Sequence, residues 1–298
     1  MVVSPAVEDE IGRSENMNYS QEQVMELKRK AIQVRANILE MIPPGKVGHL
    51  GGSSSIADVM AALYFHTMQV NPADPKDPTR DRLIMSKGHA VLAQYACLVE
   101  LGYFPREELA KVKTLDGILQ GHPDMDKTPG IEAVTGSLGQ GLSISLGMAL
   151  GFKVDNLPNR VYTILGDGEL AEGQVWEAVM AAHGFQANNL TAIVDFNGLQ
   201  ATSTTKEIFP IENLAQKWDS FGWNVIEIDG HDMVQILDAL EAAKAFTEGP
   251  TVLLAHTVKG ACFSFAEGKA KYHNAAMTEE EYKQAWTCID KLKREVEA

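Results

Sequence analysis

The sequence predicts an α/β protein in which a doubly wound parallel sheet is flanked by helices, and two stretches predict it. The first is residues 161–200, VYTILGDGELAEGQVWEAVMAAHGFQANNLTAIVDFNGLQ. Its apolar run at 161–165 is too short for a helix and rich in branched residues, as buried strands are. Gly166-Asp167-Gly168 turns the chain, and residues 172–183 follow with Val175, Trp176, Val179, Met180 and His183 at helical spacing. A second apolar run at 190–194 ends in Asp195-Phe196-Asn197-Gly198-Leu199. Strand–helix–strand units of this kind set their strands parallel with a right-handed crossover. The second stretch is residues 211–255, where a helix is expected at 211–221, a strand at 223–228, a helix at 233–247 and a strand at 250–255. Such repeated alternation is the pattern of a doubly wound sheet.

Upstream, residues 1–20 are polar and mixed, and are expected to form a loose extension to a single domain at 21–298. Helical periodicity over 21–41 (Val24, Leu27, Ala31, Val34, Ile38, Met41) stops at Pro43-Pro44-Gly45. A glycine-rich loop at 45–52, where backbone can approach a ligand closely, carries His49. It leads to a helix expected to be capped by residues 53–55 and to run to about Met68. After a proline-rich connector at 71–79, a short strand at 82–85 runs into Ser86-Lys87-Gly88-His89 and a helix ending near Leu101. An imidazole at that junction stands beside a helix N-terminus, a position suited to anionic groups. His66, inside the preceding apolar helix, reads as packing. Gly121-His122-Pro123 and Gly136-Ser137-Leu138-Gly139-Gln140-Gly141 precede an apolar helix at 142–154. Glycines in that spacing are by themselves a weak signal, often of tight helix–strand packing. A charged amphipathic helix is expected at 278–296.

Composition narrows the class. The chain has 298 residues, enough for a large core, and 40 acidic against 26 basic residues give a net charge of −14. That balance is unsuited to nucleic acid or to an anionic membrane surface. No apolar run approaches a transmembrane length, and the first residues lack the basic and apolar regions of a secretory signal. Cys97, Cys262 and Cys288 are few and widely spaced, so they read as reduced thiols of a cytoplasmic protein.

The chemistry concentrates at the strand ends. Asp167 and Asn197 fall just past the carboxyl ends of two parallel strands, the edge where open α/β sheets bind ligands. A carboxylate, an amide oxygen and a nearby main-chain carbonyl make an all-oxygen set that suits Mg²⁺ or Ca²⁺. The turn is acidic, with Asp167, Glu169 and Glu172 and no lysine, so it is not a Walker loop. A diphosphate could approach it only through a bridging cation. A lone Gly-Asp-Gly is most often an ordinary turn, with Glu172 a favourable charge at a helix start. Asn197, placed one helix and one strand later, is the paired feature that favours the metal reading.

That pairing is similar to the thiamine-diphosphate signature, and GDGELAEGQVWEA with DFNGLQ resembles transketolase in particular. The resemblance implies that Asp167, Asn197 and the carbonyl of Leu199 hold Mg²⁺, with Ca²⁺ or Mn²⁺ able to substitute. It implies that thiamine diphosphate meets Gly168 and Asn197, the backbone at Gly136 and Leu138, and His89. His49, His89 and His122 would orient substrate or shuttle protons, and Glu172 would join a carboxylate network at the interface with a partner. Gly230-His231-Asp232 matches a turn of the family that reads as structural. His256-Thr257-Val258-Lys259-Gly260 resembles a strand-end loop of the family, and the segment up to Tyr272-His273-Asn274 would lie over the active site. Three departures stand out: Ser137 for a common proline, His273-Asn274 for a histidine-glycine pair, and Gly260-Ala261-Cys262 after Lys259.

The resemblance runs from about residue 20 through nearly the whole chain, yet full-length transketolases are much longer. The part without a counterpart here carries the pyrimidine-binding domain, the glutamate that activates the cofactor and most residues that hold the sugar phosphate. The expectation is therefore the N-terminal subunit of a split transketolase. It would pair in an α₂β₂ heterotetramer with a separate C-terminal subunit, the cofactor lying at their interface. It would transfer a two-carbon ketol unit between sugar phosphates, in pentose phosphate recycling or in a dedicated route for an unusual pentulose phosphate. Alternatives are half of another thiamine-diphosphate enzyme, deoxyxylulose-phosphate synthase-like or 2-oxo acid dehydrogenase-like, or a non-catalytic cofactor-binding subunit. His49, His89 and His122 favour sugar chemistry.

Overall fold

A computed structural model describes residues 19–211 and 213–297. Residues 1–18 of the expected extension lie outside the described residues; Tyr19 is buried edge-on against His66, and Ser20 caps the first helix. That helix, α1 (Gln21–Met41), starts with a capping box. The Ser20 hydroxyl accepts from the Gln23 amide, while the Gln23 side chain accepts from the Ser20 amide. A cap of this kind contributes about 1 kcal/mol. The short helices α2 (Leu50–Ser54) and α3 (Ala57–Ala62) follow, then α4 (Val91–Leu101) and α5 (Gly141–Val154). Beyond them lie α6 (Gly173–Gly184), α7 (Thr205–Ile208), α8 (Leu214–Ser220), α9 (Met233–Ala245) and α10 (Glu279–Glu297).

Five strands, β1 (Arg82–Met85), β2 (Val161–Gly166), β3 (Leu190–Phe196), β4 (Asn224–Asp229) and β5 (Thr251–His256), form one sheet in the order β1-β2-β3-β5-β4. Every pairing is parallel. Strand side chains alternate between faces, and the two faces are apolar in turn. Tyr162, Ile164, Ile193 and Leu253 pack with α1, α3, α4, α9 and α10. Val161, Leu165, Ala192, Val194, Val252 and Leu254 pack with α5, α6 and α8. Burial on both sides explains why these strands read as continuous apolar runs.

The expected doubly wound sheet is present. The helix expected to be capped by residues 53–55 instead begins at Leu50, with His49 at its N-cap. Two of the serine hydroxyls are spent elsewhere: Ser54 donates to the Leu50 carbonyl and Ser55 to the Asp195 carboxylate. The segment breaks at Ile56 and ends in a π-turn at Leu63–Thr67. The helix expected at 211–221 is shorter, because Asn213 adopts a left-handed conformation (φ 58°) at its N-cap. The short α7 has no apolar periodicity, and the sequence did not show it. Among the described residues no helix is long and apolar enough to cross a membrane.

Candidate active site

The register aligns the strand ends. Gly166 lies opposite Asp195, and Asp195 opposite Ala255, so the segments after β1, β2, β3 and β5 meet at one edge. They enclose a cavity of about 160 Å³ whose lining includes Gly52, Leu138, Asp167, Gly168, Asn197 and Leu199.

Asp167 is 2% exposed. Its carboxylate accepts from the amides of Gly168 at 2.7 Å and of Gly198. Burial and then the nearby Asp195 push its pKa up to about 6. Asn197 donates its amide nitrogen to Asp195 at 2.8 Å. Because a carboxylate only accepts, this bond fixes the amide's orientation and turns Oδ1 away, where it meets the Leu199 amide at 3.1 Å. The three oxygens expected from the sequence to hold a cation, on Asp167, Asn197 and Leu199, therefore come from two adjacent loops. No cluster of three or more His, Cys, Asp or Glu side chains suited to a metal occurs among the described residues. The donor set is of another kind, one carboxylate with one amide and one carbonyl oxygen, and hard cations take such ligands.

Beneath it lies a buried polar network that sequence reading missed. Asp195 is fully buried and accepts from the Lys87 ammonium, the Ser55 and Thr257 hydroxyls and Asn197. Although burial opposes ionisation, Lys87 beside it holds the Asp195 carboxyl below its usual range. Glu169, 2% exposed, accepts from the Ser86 hydroxyl and from the amides of Gly139 and Gly166 at 2.9 and 3.1 Å. It ties the loop carrying Gly136 and Leu138 to the turn carrying Asp167. Glu172, the acidic residue singled out from the sequence, is exposed at the N-cap of α6 and does not line the cavity. The sequence showed both glutamates as acidic turn residues and did not separate the buried one from the exposed one.

Lys259 is also new. It is 3% exposed and donates to the Leu199 carbonyl at 2.9 Å. Burial and then Lys87 lower its pKa to about 8. Its loop is fixed by His231, whose Nε2 accepts from the Val258 amide at 2.9 Å and whose Nδ1 lies 2.8 Å from Asp58. An amide can only donate, so Nε2 is the bare nitrogen and Nδ1 carries the proton. Asp58 is paired in turn with Arg35 at 2.6 Å. Asp232 caps α9 by accepting from Val234 and Gln235.

Above the cavity the expected histidines form a cluster that His273 joins: His49, His89 and His273 neighbour one another, His49 and His273 at 5.6 Å, and His122 lies beyond His49. Ring centroids are 4.7 Å apart for His273 and His89, 5.2 Å for His89 and His49, and 6.0 Å for His49 and His122. Burial lowers all four pKa values, that of His49 to about 3 and that of His273 to about 4. The rings are neutral at pH 7 and can each donate and accept. His273 Nδ1 is buried with no hydrogen-bond partner, an orphan group that a ligand would satisfy. Gly136 supports His122, since a Cβ there would stand 2.9 Å from the ring. Leu138 and Gly168 line the cavity directly.

Fold and cavity together define a doubly wound α/β protein with a polar cavity at the carboxyl edge of its parallel sheet. A family model described as the transketolase thiamine diphosphate binding domain matches residues 27–290. The 6-deoxy-6-sulfo-D-fructose transketolase subunit SqwG of Clostridium sp. (strain MSTE9) is 47% identical over 270 residues, covering 91% of this chain and 98% of its own. An apulose-4-phosphate transketolase subunit of Phocaeicola vulgatus is 40% identical over 263 residues, covering 88% and 93%. A crystal structure of a transketolase variant from Pichia stipitis superposes with a TM-score of 0.84 at 32% identity, covering 88% of this chain and 40% of that one. The chain belongs to the transketolase family, as its thiamine-diphosphate-binding part.

Proposed function

We propose that the chain is the diphosphate-binding subunit of a two-part transketolase, completed by a separate C-terminal subunit in an α₂β₂ assembly. The observation that carries this reading is the meeting of Asp167, Asn197 and Leu199 with the histidine cluster at one strand-end cavity. Two relatives matched along nearly their full length are named as transketolase subunits, which supports a partner. Their names also support a ketose that carries an anionic group, phosphate or sulfonate, as substrate. Thiols that are all free fit the cytoplasm.

Thiamine diphosphate, when bound, supplies a nucleophilic carbon and an electron sink for transfer of a two-carbon ketol unit. Asp167, Asn197 and the Leu199 carbonyl would hold Mg²⁺ against its diphosphate, with Gly168 letting the backbone approach. Lys259 and Lys87 place positive charge at the same end of the cavity. Neutral His49, His89, His122 and His273 would hold sugar hydroxyls and pass protons at the carbonyl and hydroxyl oxygens. Exposed Glu172 would face the partner subunit.

A tagged chain recovered from its native cells should bring a stoichiometric second polypeptide, and the pair should transfer ketol units when given thiamine diphosphate and Mg²⁺. Asp167→Ala should abolish metal-dependent cofactor binding. A chain that purifies alone and transfers ketol units would overturn the two-part reading, and cofactor binding undiminished in Asp167→Ala would overturn the metal site.

A further inference from the structure

One polar side chain at the cavity has no part in the proposed function. Gln200 follows Leu199 directly, is half-buried and lines the cavity with Asp167, Gly168 and Lys259. Its backbone is held in a tight hairpin. Leu199 forms an antiparallel bridge with Thr204, the Gln200 amide donates to the Ser203 carbonyl at 2.9 Å, and the Thr205 amide donates to the Gly198 carbonyl at 2.9 Å. The returning arm runs into α7, which Thr204 caps by accepting from the Glu207 amide at 3.2 Å. Gln200 is thus presented at a set place beside the cavity.

The side chain lies on Gly168. A Cβ added there would stand 2.7 Å from Gln200 Cγ, 3.0 Å from Cδ and 3.4 Å from Nε2. Gly168 opens a 3₁₀ turn (Gly168–Ala171) and its backbone is not left-handed, so conformation alone does not call for glycine. Space does, because a side chain would collide with the glutamine stem. At the tip, the Gln200 carboxamide carries two N–H donors and makes no hydrogen bond among the described residues. Asp167, Asn197 and Lys259 beside it are each bonded within the chain. A carboxamide held at a polar cavity with its donors unused is placed to meet a ligand's oxygens.

Resting on the transketolase reading, we propose that Gln200 donates from its carboxamide to the diphosphate of the cofactor and closes the cavity over Gly168. Asp167, Asn197 and Leu199 would meet that diphosphate through the cation, and Lys87 and Lys259 by charge. Gln200 adds a neutral, directional donor on the side of the Gly-Asp-Gly turn. Gly168 then serves twice: its backbone would face the ligand, and its missing side chain admits the glutamine.

The test is binding of inorganic diphosphate with Mn²⁺ to the full chain by titration calorimetry, which needs no turnover. Gln200→Met keeps the stem and removes the donors, so it should weaken diphosphate binding about tenfold, as loss of one hydrogen bond to a charged group does. Mn²⁺ alone should bind this variant as it binds the parent. Unchanged diphosphate binding, or an equal loss for Mn²⁺ alone, would overturn the contact while leaving the transketolase reading intact. Gly168→Ala should lower Tm by about 3 °C or more through overpacking, and adding Gln200→Ala should recover most of that loss. No recovery in the double variant would overturn the seating of Gln200 on Gly168. A wild-type chain that binds no diphosphate, alone or with its partner, would overturn the transketolase reading and the contact together.

Discussion

The Lys259 ammonium donates to the main-chain carbonyl of Leu199 at 2.9 Å, tying the loop after β5 to the loop after β3 across the cavity floor. The carbonyl expected to face a cation is thus held by a positive charge of the chain itself. A divalent cation and an ammonium repel, whereas an ammonium and a diphosphate attract. Lys259→Met should therefore tighten Mn²⁺ binding to the chain alone, and weaken binding of inorganic diphosphate in the presence of Mn²⁺ by about tenfold. Titration calorimetry measures both, and a change of the same sign in the two would contradict these opposed roles.

Lys87 and Asp195 form an ion pair with side chains 3% and 0% exposed, beneath the site. Removing one partner strands the other in a low-dielectric interior. Asp195→Ala should cost about 3–5 kcal/mol in urea unfolding, and Lys87→Met a similar amount. Replacing both together should cost clearly less than the two single losses added, because no charge is left unpaired. Additive losses would show that the pair is not coupled.

Gly88 sits where β1 hands over to His89. A Cβ there would fall 2.8 Å from the Gly136 nitrogen and from the Thr135 carbon and oxygen, all backbone atoms that cannot swing aside. Gly88→Ala should destabilise the fold by about 1–3 kcal/mol through overpacking. It should also separate His89 from the Gly136–Leu138 loop, weakening cofactor binding beyond what the stability loss explains. A Tm within a degree of the parent would refute the close approach.

The histidine cluster sets a pH dependence. Burial lowers His49 to about 3 and His273 to about 4, below the unfolded value of about 6.5. In that window the unfolded chain binds more protons than the folded one, so stability rises with pH and falls as the solution is acidified from 6.5 toward 4. Replacing His49 with Asn and His273 with Gln together should flatten the Tm-against-pH curve over that range. A slope unchanged in the double variant would assign the acid sensitivity elsewhere.

His231 joins Asp58 to the Val258 amide and so steadies the loop that carries Lys259. His231→Leu should leave Asp58 and the Val258 amide short of a partner, costing about 1–3 kcal/mol. It should also raise hydrogen exchange at Val258–Gly260. Unchanged exchange there would show that the loop is held by other contacts.

The sheet was readable because its inner strands β2, β3 and β5 are buried on both faces. Residues 161–165 and 190–194 carry that requirement in their own composition, and β2 and β3 extend them by only one or two residues. Asp167 and Asn197 were readable for a similar reason: a parallel strand–helix–strand unit forces the ends of its strands to the same edge. Helix starts were less so. Ser53–Ser55 look like caps in one dimension, and only the folded chain shows Ser55 bonded to Asp195, 140 residues away.

By itself the sequence determined the parallel sheet and the edge where its strand ends meet, since these follow from local periodicity, and the set of histidines came with the resemblance to transketolase. Only the tertiary structure decided which of the two neighbouring glutamates is buried and that Lys259 reaches Leu199. It alone placed His273 beside His89. These are contacts between residues far apart in the chain, set by how loops pack once the strands are in register, and no short-range pattern encodes them.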